Sequence, residues 1–586
     1  MSSTPTPESE IHDVIIIGAG PCGLAVAARL HEETPSAMFT DEEHQRYHWI
    51  KKHTGKMKLV QAGRTKKNSV RAEKWNRGQR CPCDNKDQSD HAQRRGSADS
   101  NSSVPSLSSS TSASSATSIS TLVLDGSGDQ WMQRWNNAFR VLEIQQLRSP
   151  MFFHVDPGDR DGMLAYTQEM GRENDLWEIS GCVGKEMSKH KKKKRRQGGK
   201  SQTIGGVEID ERDRKDYFSP STGLFADYCT SIIERYGLDE PGQILKREVT
   251  DLSYDYLPDN TGAPVPNSKI FTVTTSTGQS FYSRSVVLAI GAGGAGLAKI
   301  FPWRPSSEEE GANACCHSME IKSFPSHNVR QKIQRRQETN VVVVGGGLSS
   351  AQIVDMAVRK GVTKVWFLMR SEMKVKHFDI SLPWMGKYKN WEKAAFWSAD
   401  TDEERLEMMK TARNGGSITP RYVKTVREHA TRNRASIHPR TVITSHKYNP
   451  DTKTWMLETD PPIPNLPPID YIYFATGARA NVLEMPLLSR INEQYPVEVK
   501  EGLPCLTDDL MWRDDVPLFM TGRMAGLRLG PGAPNLEGAR LGAERIAWSL
   551  EEILEKNREV GEQCEGFCGL GNRYASLLED ASADEY

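Results

Sequence analysis

Two stretches of this chain restrict its fold more than any others. Residues 12–30 read HDVIIIGAGPCGLAVAARL, and residues 340–352 read NVVVVGGGLSSAQ. In each, a run of β-branched apolar residues meets a cluster of glycines and continues into a helix-forming segment. Such a run suits a parallel strand buried on both faces, and parallel strands require crossover connections, usually helices. Two such units in one chain predict α/β architecture with two separate nucleotide-binding domains. The 586 residues are enough for two or more packed cores.

In the first unit, Gly18, Gly20 and Gly23 follow the strand Val14–Ile17 with the spacing G-x-G-x-x-G. Gly18 permits the tight turn, Gly20 leaves bare backbone for a pyrophosphate, and Gly23 lets the next helix pack close to the strand. That helix, from about Pro21 to Leu30, points its first amides at the phosphates. A second strand, SAMFT, leads to Asp41, about twenty residues beyond Gly18, where a carboxylate meets a ribose hydroxyl. Glu42 stands beside it and can share that task.

Two later segments, VVLAIGAGG at 286–294 and YIYFATGAR at 471–479, are apolar strands ending in small-residue turns. In flavoproteins with two dinucleotide domains, such turns mark where the chain crosses between the FAD and nicotinamide domains. PLFMTGRMAGLRLGPGAPNLEGAR at 517–540 then supplies a strand, a glycine-rich turn and a helix opening with Pro534. Such a helix would direct its N-terminus at the flavin. The first site is therefore read as FAD, with Val249, Gly291, Thr476, Gly477 and Gly522 as further candidate cofactor contacts.

In the second unit Gly345 and Gly347 take the first two glycine positions and Ser350 the third, with Ser349 beside it at the helix start. The serine should loosen the helix–strand packing slightly. The following strand, KVWFLMR, ends at Arg370, where an acidic residue would bind ribose hydroxyls. An arginine there offers a fork for a 2′-phosphate, with Lys374 and Lys376 nearby, so the cosubstrate is read as NADPH.

Composition completes the organisation. Hydrophobic residues make up 37% of the chain, few for a compact enzyme, so parts of it are expected to be disordered. These are residues 1–10, a serine-rich insertion at about 84–120 and a basic insertion at about 185–200, and the chain closes with a polar tail at 556–586. The expected domains are an FAD-binding part at 11–335, an inserted NADPH-binding domain at 336–465 and a second FAD-binding part at 466–555. Lysine plus arginine equals aspartate plus glutamate at 76 each, so charge gives no push toward nucleic acid. No stretch suits a membrane span. The ten cysteines include no C-x-x-C pair and suit reduced thiols in a cytoplasmic protein. The basic run 189–196 is either a solvated loop or a nuclear-import signal.

Without a redox cysteine pair, oxygen is the electron acceptor that needs least further equipment. Reduced flavin and oxygen form a C4a-hydroperoxide, which the protein must shield from water. No metal cluster or Ser-His-Asp set is visible, and no catalytic residue is assigned. His154 beside Asp156 reads better as structural than as an acid–base group.

GAGPCG, then GGGLSS with Arg370-Ser371, then FATGA, together resemble the class B flavin-dependent monooxygenase superfamily, closest to the lysine/ornithine N-monooxygenase-like proteins. The resemblance covers roughly residues 11–60, 121–180 and 205–555. It implies a two-dinucleotide-binding-domain flavoprotein: an FAD Rossmann-like domain with an inserted NADPH Rossmann-like domain. It also implies an NADPH- and O2-dependent oxygenation of a small molecule, with N-hydroxylation of an amine or amino acid favoured. His317-Ser318 is similar to the His-Ser pair of flavin-containing monooxygenases, whereas the F-x-G-x-x-x-H pattern of Baeyer–Villiger enzymes is absent. The LRSPMFFHVDP block looks like the segment after the first domain in the lysine/ornithine group, which would put Arg148 and Ser149 on the flavin or substrate side, unless they only pack. Two alternatives stay open: an NADPH oxidoreductase or oxidase that inserts no oxygen, and a weakly catalytic regulatory protein, since the oxidative-stress-induced growth inhibitor proteins share this layout.

Overall fold

The computed structural model describes residues 11–32, 119–179, 182, 217–258, 264–291, 297–385 and 389–558. Asp41, Glu42, SAMFT, the N-terminal ten residues, the basic run and the serine-rich tract up to residue 118 lie outside these, as do residues 559–586.

The chain enters the first sheet at β1 (Ile11–Ile17), whose residues Val14, Ile15 and Ile16 are fully buried, and turns into α1 (Pro21–Leu30). β2 (Thr121–Asp125) lies parallel to β1, pairing Val14 with Thr121 through Ile17 with Leu124. The described strand beside β1 is thus the apolar run TLVL beyond the serine-rich tract. At the end of that tract the Ser120 carbonyl already accepts from the amides of Asp13 and Val14. α2 (Thr222–Arg235), capped by the Ser221 hydroxyl, leads to β3 (Ile244–Lys246), which pairs with β2. An antiparallel meander follows: β4 (Val249–Pro258), β5 (Pro264–Thr275) and β6 (Ser280–Leu288). β6 then runs parallel along the other side of β1.

Here the chain leaves for a second, wholly parallel sheet. Its strands are β7 (Cys315–His317), β8 (Asn340–Val344), β9 (Lys364–Leu368), β10 (Ala435–His438) and β11 (Tyr471–Phe474), in the spatial order β7-β11-β8-β9-β10. Helix α3 (Leu348–Arg359) carries β8 over to β9. Between β9 and β10 come α4 (Asp402–Arg413) and α5 (Pro420–Thr431). The expected bounds of the inserted domain, 336–465, therefore leave out two of its strands. β11 lies beside β8 and β7 beside β11, and their apolar residues complete the core of this sheet, in which Ile472 and Phe474 are fully buried.

The chain then returns to the first sheet with β12 (Met511–Arg513) and β13 (Val516–Met520), the latter parallel to β6, and ends its described part in the long helix α6 (Leu536–Arg558). Pro534 sits in the turn before α6 and does not open it. α6 packs on α1 through an ion pair taken out of water, Arg29 Nε to Glu544 Oε2 at 2.9 Å. Among the described residues no helix is long and apolar enough to cross a membrane.

Candidate active site

The first loop has the geometry its glycines predict. Gly18 adopts φ +112°, and a Cβ there would lie 2.6 Å from the Ala289 carbonyl oxygen, at the end of β6. A Cβ on Gly23 would lie 2.0 Å from the Gly18 oxygen, so only glycine lets α1 sit this close to the loop. Around Gly20, by contrast, nothing among the described residues lies within 4 Å of the Cβ position. Space beside bare backbone at a helix N-terminus fits a pyrophosphate. Gly522, at φ +67°, brings the turn after β13 to α1: its Cβ position lies 3.3 Å from Cys22 Sγ. Burial pushes the Cys22 thiol up to about 11.

A residue missed in the sequence sets the edge of this loop. Asp125, the last residue of β2, accepts hydrogen bonds from the Ala19 amide (2.8 Å) and the Ser127 amide (2.6 Å). Its neighbourhood is tight, for the Met132 amide donates to the Ala19 carbonyl at 2.7 Å. The signal was present in TLVLDGSG, an apolar run closed by a carboxylate and a glycine turn. Val249 opens β4 nearby and is buried; Gly291 is exposed after β6.

The second loop repeats the device. Gly345 has φ +145°, its Cβ position lies 2.3 Å from the Ala475 carbonyl oxygen, and Gly347 again has nothing among the described residues within 4 Å. Ser350 departs from the expectation of loosened packing. It is fully buried, and its hydroxyl donates to the Gly347 carbonyl at 2.6 Å, so it ties the helix to the loop. Ser349 is exposed in the first turn of α3, and Arg370 is exposed just past β9 with no ion pair among the described residues. Lys374 and Lys376 are not free for a phosphate. Lys374 Nζ donates to the Asn414 carbonyl and side chain, and Lys376 Nζ to the carbonyls of Ala412 and Arg413.

The turn after β11 is held from three sides. The Thr476 hydroxyl donates to the Ile300 carbonyl, His317 Nε2 to the Gly477 carbonyl at 3.0 Å, and Arg523 to the Ala478 carbonyl at 2.9 Å. His317 is buried, and burial lowers its pKa, so it serves here as a neutral donor. Beside this turn lies a cavity of about 780 Å³, lined among others by Lys410, Arg413, Arg479, Arg523 and Pro534. Its acid, Glu501, is paired with Lys410 at 2.6 Å, so the lining is cationic.

Arg148, expected on the flavin or substrate side, has its guanidinium fully engaged. It makes five hydrogen bonds, to the carbonyls of Lys376, His377, Phe378 and Ser417 and to the Ser417 hydroxyl. Burial lowers its pKa to about 10. Ser149 next to it is half-buried. His154 is buried, with Nε2 donating to the Arg160 carbonyl (2.8 Å) and Nδ1 accepting from the Asp156 amide (3.2 Å). Both ring nitrogens serve the fold, and Asp156 itself takes the Tyr228 hydroxyl and Arg235. Burial also raises the thiols of Cys315 and Cys316, to about 12 and about 11, so neither is a ready thiolate. Among the described residues no His, Cys, Asp or Glu cluster could hold a metal.

Residues 247–479, from just before β4 to just after β11, match the family model of L-lysine 6-monooxygenase/L-ornithine 5-monooxygenase. No curated relative matches the sequence. Among solved structures, the chain is similar to the FAD-bound cadaverine monooxygenase of desferrioxamine biosynthesis from Erwinia amylovora, with 13% identity, TM-score 0.53, and coverage of 93% of this chain and 95% of that one. It is similar to the ornithine hydroxylase from Pseudomonas aeruginosa, with 12% identity, TM-score 0.54, and coverage of 93% and 100%. The ornithine N-hydroxylase from Kutzneria sp. 744, solved with reduced FAD, NADP+ and L-ornithine, gives 14% identity, TM-score 0.53, and coverage of 93% and 100%. At such identities the likeness is one of fold: two dinucleotide-binding domains, one inserted in the other. The chain thus has the fold of a flavoprotein with two dinucleotide-binding domains, and its residues 247–479 are similar to the lysine/ornithine monooxygenase family.

Proposed function

We propose that the protein is an FAD-dependent monooxygenase that uses NADPH and O2 to N-hydroxylate a small amine or amino acid in the cytoplasm. The observation that carries this is the paired cradle: Gly20 and Gly347 each leave space open among the described residues at a helix N-terminus, after parallel strands of two different sheets. The family match across the second of them supports the same reaction class. Bound FAD would supply the oxygen chemistry, with NADPH as the source of hydride.

The residues then divide the work. Gly18, Gly20, Gly23 and Asp125, with Asp41 and Glu42 as further candidates, would hold FAD. Gly345, Gly347, Ser349 and Arg370 would hold NADPH. His317 and Arg523 fix the Gly477 and Ala478 carbonyls, and so the wall of the cavity. The cations Arg479 and Arg523 bear on the substrate itself, while Arg413 is already paired with Asp379 at 2.9 Å. A protonated amine among them is disfavoured, so a bound amine is kept in the neutral form that can attack an electrophilic oxygen. An amino-acid carboxylate would find a guanidinium partner in the same cavity.

The test is NADPH oxidation by the FAD-loaded protein with amines and amino acids, measured together with hydroxylamine product and peroxide. Product formation matched to NADPH consumption is expected for at least one substrate. Peroxide equal to NADPH consumed with every compound would overturn oxygen insertion.

A further inference from the structure

The turn Asn414-Gly415-Gly416-Ser417, which follows α4, lies directly on the second dinucleotide loop. A Cβ on Gly416 would come within 3.2 Å of Gly347 Cα, 3.3 Å of Gly347 N and 3.4 Å of Gly346 C. Gly347's own Cβ position faces open space. The turn therefore covers one side of the loop and leaves the other side clear. Gly415 turns the chain there at φ +75°. Among the described residues, the amides of Gly415 and Gly416 donate to no other group, and Gly415 also lines the cationic cavity.

This turn is anchored from two directions. Lys374 Nζ holds the Asn414 carbonyl and side chain at 2.8 and 2.9 Å, and the Ile418 amide donates back to the Lys374 carbonyl at 2.9 Å. From the first-sheet part of the chain comes Arg148, which binds the Ser417 carbonyl at 3.2 Å and its hydroxyl at 2.8 Å. The same guanidinium holds the carbonyls of residues 376–378, so one side chain fixes both strands of the segment that carries the turn. Ser417 is 2% exposed, which takes these bonds out of competition with water.

We infer that the Asn414–Ser417 turn is the second wall of the NADPH diphosphate slot, and that Arg148 is a positioning residue that sets the width of that slot. A diphosphate seated on the Gly347 side would find the α3 amides on one flank and the amides of Gly415 and Gly416 on the other. Successive free amides of this kind form anion-binding concavities. Glycine is needed at 416 because a side chain would push the wall away from the loop. The inference rests on the reading that the second loop takes NADPH.

The experiment compares wild type, Gly416→Ala, Gly416→Val and Arg148→Lys as FAD-loaded proteins. Binding of NADPH and of 2′-phospho-ADP-ribose, which shares the diphosphate, is measured by titration calorimetry, with FAD content and thermal unfolding as controls. Gly416→Ala displaces the wall by a few tenths of an ångström and is expected to weaken both ligands by about tenfold, Gly416→Val by more, since amide–phosphate hydrogen bonds are lengthened or lost. Arg148→Lys keeps the charge, loses the fork and is expected to weaken both ligands similarly, with FAD content unchanged. Unaltered affinity in folded Gly416 variants of a wild type that does bind NADPH would overturn the inference alone. A wild type that retains FAD and binds neither ligand would overturn the NADPH reading together with it.

Discussion

A Cβ on Gly18 would meet the Ala289 carbonyl oxygen at 2.6 Å, and Gly345 stands in the same relation to Ala475, at 2.3 Å. In both sheets the first glycine of the loop turns against the residue that ends the neighbouring parallel strand. Both glycines also have φ in the range L side chains rarely adopt, +112° and +145°. Alanine at either position combines backbone strain of about 1–3 kcal/mol with an overpacking cost of similar size. Gly18→Ala should yield protein that fails to retain FAD, read from the flavin absorbance per chain. Gly345→Ala should retain FAD and lose reduction by NADPH about a hundredfold or more, read in anaerobic stopped flow. If the two variants failed in the same way, the assignment of the loops to different cofactors would be wrong.

Asp125 supports the first loop through the Ala19 and Ser127 amides. Replacing it by alanine leaves the loop amide without its acceptor and removes a carboxylate from the edge of the FAD cradle. Hydrogen bonds to charged groups are worth about 1.5–3 kcal/mol, so Asp125→Ala should weaken FAD binding roughly ten- to a hundredfold. Reconstitution of the apoprotein followed by flavin fluorescence measures this. Wild-type affinity in the variant would reduce Asp125 to a strand-end residue.

What was legible in the sequence was local. The valines and isoleucines before each glycine loop have no amphipathic alternative, so β1 and β8 follow from the residues alone. The partner of β1 did not. Thr121–Asp125 becomes its neighbour after a long intervening segment, and no periodicity in an apolar run says which other run it will pair with. β7 and β11 were left outside the inserted domain for the same reason. Arg148 was expected on the flavin or substrate side, but the cage that holds it comes from residues 376–378 and 417. Four carbonyls from distant segments leave no trace in a motif. Ser350 looked like a defect because its hydroxyl acceptor, the Gly347 carbonyl, exists only once the helix is formed.

Arg370 is exposed at the end of β9, while the two lysines near it are committed to the end of α4. A 2′-phosphate at that strand end would therefore depend on one guanidinium. Arg370→Ala should raise KM for NADPH by about ten- to a hundredfold and leave KM for NADH nearly unchanged. Steady-state kinetics with both nucleotides decides the matter, and equal effects on the two would remove Arg370 from the phosphate site.

The contact of α6 with α1 rests on Arg29 and Glu544, 4% and 1% exposed. Removing one charge from such a buried pair costs up to about 3–5 kcal/mol, less here because Arg29 keeps the half-exposed Glu551 at 3.3 Å, whereas replacing both by apolar side chains is often neutral. Glu544→Ala should lower urea-unfolding stability by about 2–3 kcal/mol, and the double variant Arg29→Met, Glu544→Leu should recover most of it. If both variants lost equally, packing rather than stranded charge would be the cause.

His154 gives the fold a pH dependence of predictable sign. Burial, with Arg540 adding to it, lowers the imidazole to about 4, against a nearby Asp156 that acts the other way. The ordinary value in an unfolded chain is about 6.5. Between these values the unfolded state binds the proton and the folded state does not. The stabilising contribution is therefore complete above about pH 6.5 and is lost as the pH falls toward 4, amounting to about 3 kcal/mol over the window. His154→Gln has no such titration. Urea unfolding of both proteins at steps from pH 7 to pH 4.5 should show wild-type stability falling more steeply than that of the variant, with the gap between them closing as the pH drops. Parallel pH profiles would mean that His154 is already solvated in the native state, contrary to the two internal hydrogen bonds that occupy its ring nitrogens.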